Sequence, residues 1–190
     1  DEQTVAWSNQ IHQALAQTLV DLPQLRTQLA QRPACGVVTV AGQRVAISHG
    51  DETSLAGWQC SRQALSHPQR QQALSAWLRE QDVQVFASSH TCAPAALQLP
   101  AGVLINNGAA GMPNFAGSAC GLISRIAGTP HESALYRCQY AGLWVEALPL
   151  GYAQDAFMSD FDRQWPPASA AALAYRERLL KGPVGTVAEA

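Results

Sequence analysis

The spacing of apolar positions changes along the chain and predicts helices followed by strands. Over residues 4–20, apolar side chains recur at the three- and four-residue intervals of an amphipathic helix. A second helix is expected to start around Pro23 and to end near Arg32. Residues 36–40 and 44–48 are rich in β-branched residues and flank a short turn, so they predict a β-hairpin.

The rest of the chain continues this alternation and predicts one α/β domain. Further helices are expected within 53–66, 69–80, 153–163 and 168–181. Strands are expected at 83–87, 103–106, 121–126, 134–140 and 143–149, the last two joined as a hairpin. We therefore predict that residues 1–190 form a single α/β domain with mixed β-sheets flanked by helices.

Composition narrows the classes of protein to which the chain can belong. Apolar residues make up 47% of the 190 residues, which excludes a disordered or collagen-like chain. The formal net charge is -2, so the chain lacks the basic surface that nucleic-acid binding requires. No apolar run approaches the roughly 20 residues of a membrane span, so we expect a soluble protein without a membrane partner. The five tryptophans are expected to pack in the core and at interfaces.

Cysteine usage indicates the redox environment. The five cysteines are odd in number, widely spaced and contain no Cys-x-x-Cys pair. Because a chain of this length does not need a disulfide framework, we predict mostly free thiols in a reducing compartment. This favours a cytoplasmic location.

Polar clusters follow three of the predicted strands, and they are the candidate site. They are His49–Asp51, His90–Cys92 and Asn106–Gly108. Ligand-binding loops gather at the carboxyl ends of strands in α/β sheets, so these clusters are expected to converge. Imidazole, thiolate and carboxylate are metal-ligand types. The ordinary alternatives stay open, because a loop histidine often only forms hydrogen bonds and Cys92 could serve as a packing residue.

Three segments that carry these clusters resemble a known family. They are RVAISHGDETSLAGW, VFASSHTCAPAAL and VLINNGAAGMPNF. In order and spacing they resemble the C-terminal half of calcineurin-like metallophosphoesterases, over residues 35–150. The resemblance implies an αββα sandwich of two mixed sheets with a dinuclear metal site. It also implies hydrolysis of a small-molecule phosphate ester by a metal-activated water, with two divalent ions (Mn, Fe or Zn).

The resemblance also assigns roles to individual residues. It implies that His49 and His90 bind one metal, so their rings are expected within about 6–7 Å of each other. Cys92 stands where the family's Gly-His-x-His motif has its second histidine, and it would face the other metal. Asp51 would support His49. Three further residues would line the pocket rim: Asn106, Asn107 and Gly108.

The chain departs from the family pattern in two places, and these departures keep alternatives open. The family's Asp-x-His, Gly-Asp and Gly-Asn-His/Asp motifs do not occur before residue 35, so the chain is expected to be the C-terminal part of a larger metallophosphoesterase domain. Ser89 replaces the glycine of Gly-His-x-His. Besides a metal-dependent phosphoesterase, the sequence allows a non-catalytic or regulatory protein of the same fold. It also allows a thiol hydrolase with Cys92 as nucleophile and His90 or His49 as base. The oligomeric state is open.

Overall fold

The computed structural model describes residues 2–190, which form six α-helices and eight β-strands with a short 3₁₀ turn near the end. The helices are α1 (Glu2–Val20), α2 (Pro23–Ala30), α3 (Arg62–Leu65), α4 (Pro68–Glu80), α5 (Gln154–Gln164) and α6 (Ala170–Lys181). The strands are β1 (Cys35–Val40), β2 (Gln43–Ser48), β3 (Val85–Ser88), β4 (Ala95–Leu99), β5 (Gly102–Asn106), β6 (Gly121–Ala127), β7 (Tyr136–Tyr140) and β8 (Leu143–Leu150). The predicted α/β class, with sheets flanked by helices, is confirmed.

The strands form two sheets. The larger has the order β1-β2-β3-β5-β4, and its three central strands are mutually parallel. The smaller has the order β6-β8-β7 and is antiparallel in the described residues. Both two-residue hairpins, β1–β2 and β7–β8, turn on an alanine and a glycine with positive φ; for Ala141 and Gly142 the values are 48° and 80°. That geometry matches the twist of the paired strands.

The three parallel strands end at the same edge of the larger sheet, as the sequence predicts. Ile47 pairs with Ala87, and Ser88 pairs with Asn106. The loops that follow β2, β3 and β5 therefore leave the sheet side by side. This edge brings the candidate residues together.

Two apolar layers hold the sheets in place. Between the sheets, buried side chains of the larger sheet such as Val85 and Ile105 pack against Leu143 and Val145 of β8. On the other face of the larger sheet, α4 packs its leucines against Phe86 and Leu104. Burial of such side chains stabilises a fold by about 1.5–3 kcal/mol each.

The outer face of the smaller sheet carries a buried carboxylate. Glu146 is 0% exposed, and Arg125 Nη1 lies 2.6 Å from its Oε2. The backbone N–H of His131 donates to Oε1 at 2.9 Å. Burial alone would raise the pKa of Glu146, but the His131 hydrogen bond and Arg125 outweigh it and hold that pKa below its usual value.

One prediction about local structure is wrong, and one strand is missing from the predicted set. Residues 53–66 were expected to be helical, but only Arg62–Leu65 form a helix, because the Asp51 carboxylate organises the preceding residues as a loop. The strand β4, Ala95–Leu99, was not predicted at all. It pairs antiparallel with β5 across a turn at Pro100 and Ala101.

The first part of the chain is more exposed than the rest. Helix α1 packs mainly against α6, and no residue of it is buried. Strand β1 forms one edge of the larger sheet, and Val37 and Val38 are 50% and 45% exposed.

Within residues 2–190, no helix is both long and apolar enough to span a bilayer.

Candidate functional site

The two predicted metal-binding histidines lie next to each other. His49 follows β2 and His90 lies two residues after β3. The Nδ1 atom of His90 is 3.2 Å from the Nε2 atom of His49, and the ring centroids are 5.0 Å apart. The expected proximity is therefore present, while metal binding at this pair stays a prediction.

Backbone hydrogen bonds fix the loops that carry the two rings. The N–H of Ser89 donates to the His49 carbonyl at 3.0 Å, so the ladder between β2 and β3 continues past the strands. The hydroxyl of Ser88 donates to the carbonyl of Gly50. On the other side, the N–H of Asn107 donates to the Ser88 carbonyl at 3.2 Å. These hydrogen bonds join the three loops that follow β2, β3 and β5, two of which carry the imidazoles.

Asp51 organises the loop from residue 49 to residue 61, which we call the 49–61 loop. Its carboxylate is nearly buried, at 4% exposure. Oδ1 accepts from the N–H and hydroxyl of Thr53 and from the N–H of Ser54, at 2.8–2.9 Å. Oδ2 accepts from the N–H of Gln59 at 3.2 Å. These four bonds tie the carboxylate to the loop that follows His49, and its predicted support of the His49 ring stays a prediction.

The asparagines after β5 tie the neighbouring loops together. Asn106 is 0% exposed, and its Nδ2 donates to the Thr91 hydroxyl at 2.8 Å and to the Cys60 carbonyl at 3.1 Å. Its Oδ1 accepts from the N–H of Gly108 at 3.0 Å. Asn107 donates to the Leu122 carbonyl at 2.9 Å. The three residues thus lie at the carboxyl edge of the parallel strands, where their hydrogen bonds position the loops; their role as a pocket rim stays a prediction.

Cys92 lies in the loop after His90 but does not join the histidine pair in one cluster. Its backbone is in the left-handed region, with φ of 51°, and its carbonyl accepts a hydrogen bond from Nη2 of Arg178. Across residues 2–190, no group of three or more His, Cys, Asp or Glu is arranged to hold a metal ion. The role of Cys92 as ligand or nucleophile stays a prediction. All five cysteines are unpaired, as expected.

Sequence reasoning missed one residue beside the pair, Trp58, and one beside the Cys92 loop, Arg178. Trp58, expected to be a packing residue, is 60% exposed, and its ring lies 5.5 Å from that of His90. Arg178 reaches the Cys92 carbonyl from α6, and its Nε is buried without a partner in the part of the chain described. Trp58 lies in the same segment after β2 as His49, and this position in the sequence could have indicated a place near the site. Arg178 lies on α6, far from the site in sequence, and nothing near it in the chain pointed to the Cys92 loop.

The spacing of the two histidine nitrogens fits two neighbouring ligand positions of a tetrahedral metal site. Two imidazole nitrogens on a single tetrahedral Zn²⁺, each with a bond of 2.0–2.1 Å, are about 3.3–3.4 Å apart. The observed separation of 3.2 Å is close to that value. It equally matches a hydrogen bond in which one imidazole N–H donates to the other ring. The arrangement supplies two imidazole nitrogens, and further ligands must come from elsewhere.

Comparisons with known proteins bear on the fold. No protein-family model and no curated protein matches the chain. Among solved structures, it is similar to the hypothetical protein PH1004 from Pyrococcus horikoshii OT3, with 10% identity and a TM-score of 0.53. That alignment covers 84% of this chain and 55% of PH1004, so the chain spans about half the length of that protein. At this identity the likeness supports the fold alone.

Two further similar structures align less closely. One is a conserved uncharacterized protein, a predicted phosphoesterase, from Streptococcus pneumoniae TIGR4, with 16% identity, a TM-score of 0.37 and coverage of 63% of this chain and 64% of that one. The other is Vps29 complexed with zinc from Entamoeba histolytica, with 13% identity, a TM-score of 0.30 and coverage of 62% and 61%. These scores are too low to decide either family or activity.

Proposed function

We propose that the chain is part of a metal-dependent phosphoesterase of the calcineurin-like type, with a divalent cation bound between His49 and His90. The observation that carries the proposal is the 3.2 Å separation of His90 Nδ1 and His49 Nε2 at the carboxyl edge of the parallel strands. The resemblance of the three strand–loop segments assigns metal binding to these two histidines. Geometry and resemblance therefore agree on the same pair.

The residues around the pair would serve binding and positioning. His49 and His90 would hold the ion as neutral imidazoles, on loops fixed by the Ser89 and Ser88 hydrogen bonds. The guanidinium of Arg178 donates to the Cys92 carbonyl and so would hold the loop that follows His90. When bound, a divalent ion supplies a Lewis acid and lowers the pKa of water.

The test is metal binding and hydrolysis by matched histidine variants. We expect wild-type protein to bind Zn²⁺ or Mn²⁺ in calorimetry, and His49→Gln and His90→Gln to weaken binding by at least about 10–100-fold, the scale seen when a metal site loses even a supporting partner. His12→Gln changes an exposed histidine on α1 and is the control. Hydrolysis of bis(p-nitrophenyl) phosphate should fall in the same two variants. Unchanged metal affinity in both would contradict the proposal.

A second candidate is a non-catalytic protein of the same fold. It is favoured by the finding that residues 2–190 contain no third His, Cys, Asp or Glu grouped with the two histidines. In that case the wild-type chain would bind the ion through His49 and His90 but hydrolyse no phosphate ester. Hydrolysis that survives a chelator and is lost in Cys92→Ser would instead indicate the thiol mechanism.

A further inference from the structure

An exposed tryptophan borders the histidine pair. Trp58 is 60% exposed, and its ring meets that of His90 edge-on, with centroids 5.5 Å apart and planes at 73°. This contact uses only part of the indole. The rest of this large apolar surface is open to solvent beside His90.

Hydrogen bonds fix the loop backbone around Trp58. The Trp58 carbonyl accepts from the N–H of Ser61 at 3.0 Å, and the next residue, Gln59, donates its N–H to Asp51. The Gln59 carbonyl accepts from Nε of Arg70 at 2.8 Å. These bonds fix the backbone at Trp58 and Gln59, and the edge-on contact with His90 is the contact of the indole itself. An exposed aromatic on such a fixed support costs little conformational entropy when a ligand stacks on it.

The chemistry of the surroundings defines what this indole could contact. A planar aromatic group stacks on an indole face regardless of its hydrogen-bonding pattern, because every such group has a π-face. Its attached phosphate would lie towards the histidine pair, since the indole contacts the ring of His90. Aliphatic esters have no equivalent surface to offer.

We propose that Trp58 is the stacking platform for a planar aromatic leaving group, so that the substrate class is an aryl or nucleoside phosphate ester. This rests on the proposed function, because it places the phosphate at His49 and His90. Trp58 would determine specificity and take no part in bond cleavage.

The test compares ligands that differ only in the aromatic group. Phenylphosphonate is paired with methylphosphonate, and adenosine monophosphate with ribose 5-phosphate; each is titrated by calorimetry into the full chain in the presence of Zn²⁺. Base stacking on an aromatic side chain corresponds to about a 5- to 150-fold preference. We expect the aromatic member of a pair to bind wild type more tightly by a factor in that range.

Two variants separate stacking from simple apolar contact. Trp58→Phe keeps a π-face and should retain most of the preference. Trp58→Leu keeps apolar bulk but no π-face, and it should abolish the preference while the affinity for methylphosphonate stays unchanged. Circular dichroism confirms that both variants fold. A preference seen only for the adenosine pair supports a nucleoside ester, and one seen in both pairs supports any aryl ester.

Other outcomes would overturn the proposal. Equal affinity within both pairs in wild type, or no saturable binding of any probe, removes a stacking role. Equal weakening of methylphosphonate and phenylphosphonate by Trp58→Leu shows that Trp58 merely supports His90. The proposed function is judged separately, by metal binding and hydrolysis in the histidine variants, so a failure of stacking is distinguishable from a failure of the metal site.

Discussion

Replacing Asp51 by alanine should unfold the 49–61 loop and measurably destabilise the protein. The carboxylate is 4% exposed and accepts four hydrogen bonds, three of them from backbone N–H groups. Alanine leaves the amides of Thr53, Ser54 and Gln59 without this acceptor. The remaining bonds of the loop, such as the Arg70–Glu52 ion pair and the Arg70 bond to the Gln59 carbonyl, involve other groups and offer no acceptor to these three amides.

The magnitude follows from these contacts. A hydrogen bond to a charged group contributes about 1.5–3 kcal/mol, but the four bonds share one carboxylate and do not add. Because the freed amides can reach water once the loop opens, we expect Asp51→Ala to lower the free energy of unfolding by about 2–4 kcal/mol. Asp51→Asn keeps an oxygen for Thr53 and Ser54, and should cost about half as much.

The assay is urea unfolding at neutral pH, with Glu132→Ala as an exposed-carboxylate control. A surface change of this kind is expected to stay within about 0.5 kcal/mol. If Asp51→Ala is no more destabilising than the control, the carboxylate does not organise the loop. Loss of His90–Trp58 contact should accompany the loss in stability, and tryptophan fluorescence of the folded variant reports it.

The same carboxylate predicts a pH dependence. Burial alone would raise the pKa of Asp51, but the hydrogen bonds from Thr53, Gln59 and Ser54 outweigh it and hold the pKa below its usual value. Such a group contributes stability that is fully present above its unfolded pKa, near 3.9, and is lost as the pH falls through the folded pKa. The stability gap between wild type and Asp51→Ala should therefore be constant from about pH 5 to 7 and shrink below about pH 4. A gap that widens in acid contradicts this reasoning.

Three further predictions test the packing of the loop, the β7–β8 turn and the burial of a thiol. A Cβ at Gly57 would lie 1.8 Å from Oδ2 of Asp51, so Gly57→Ala should destabilise the protein by about 1–3 kcal/mol in urea unfolding. Gly111→Ala is the control and should be close to neutral, because a Cβ there meets open space. Ala141→Asn places a residue that tolerates positive φ in the β7–β8 turn, and should raise the melting temperature rather than lower it. Cys60 is 0% exposed and burial raises the pKa of its thiol to about 11, so iodoacetamide at pH 8 should modify the exposed Cys35 and spare Cys60 by mass spectrometry.

The meeting of the carboxyl ends of β2, β3 and β5 could be predicted, because it depends on sequence patterns within each strand and the residues directly after it. Each of β2, β3 and β5 is a short apolar run that stops at a polar cluster, and parallel strands place such ends together. The closeness of His49 and His90 follows from that placement alone. Their common edge needed no knowledge of the loops between them.

What escaped prediction depends on contacts that the local pattern does not encode. The 49–61 loop is shaped by one carboxylate whose partners lie two to eight residues away, so helical spacing of apolar residues misled the prediction for 53–66. Strand β4 is alanine-rich and has low intrinsic β propensity; pairing with β5 decides its conformation. The exposure of Trp58 is likewise a property of the folded loop, because tryptophan is usually packed in proteins.

Strand β1 has a consequence for how the protein behaves at high concentration. Its six residues, CGVVTV, include no charge and no proline, and its outer edge presents backbone donors and acceptors along one side of the sheet. Natural edge strands commonly carry a lysine, a proline or a bulge that discourages pairing with another chain. Strand β1 contains no lysine and no proline and pairs with β2 without a bulge. Val37 and Val38 add exposed apolar surface, one on each of its faces. Aggregation in concentrated samples should therefore start at this strand, and a lysine at Thr39 is the substitution that would suppress it.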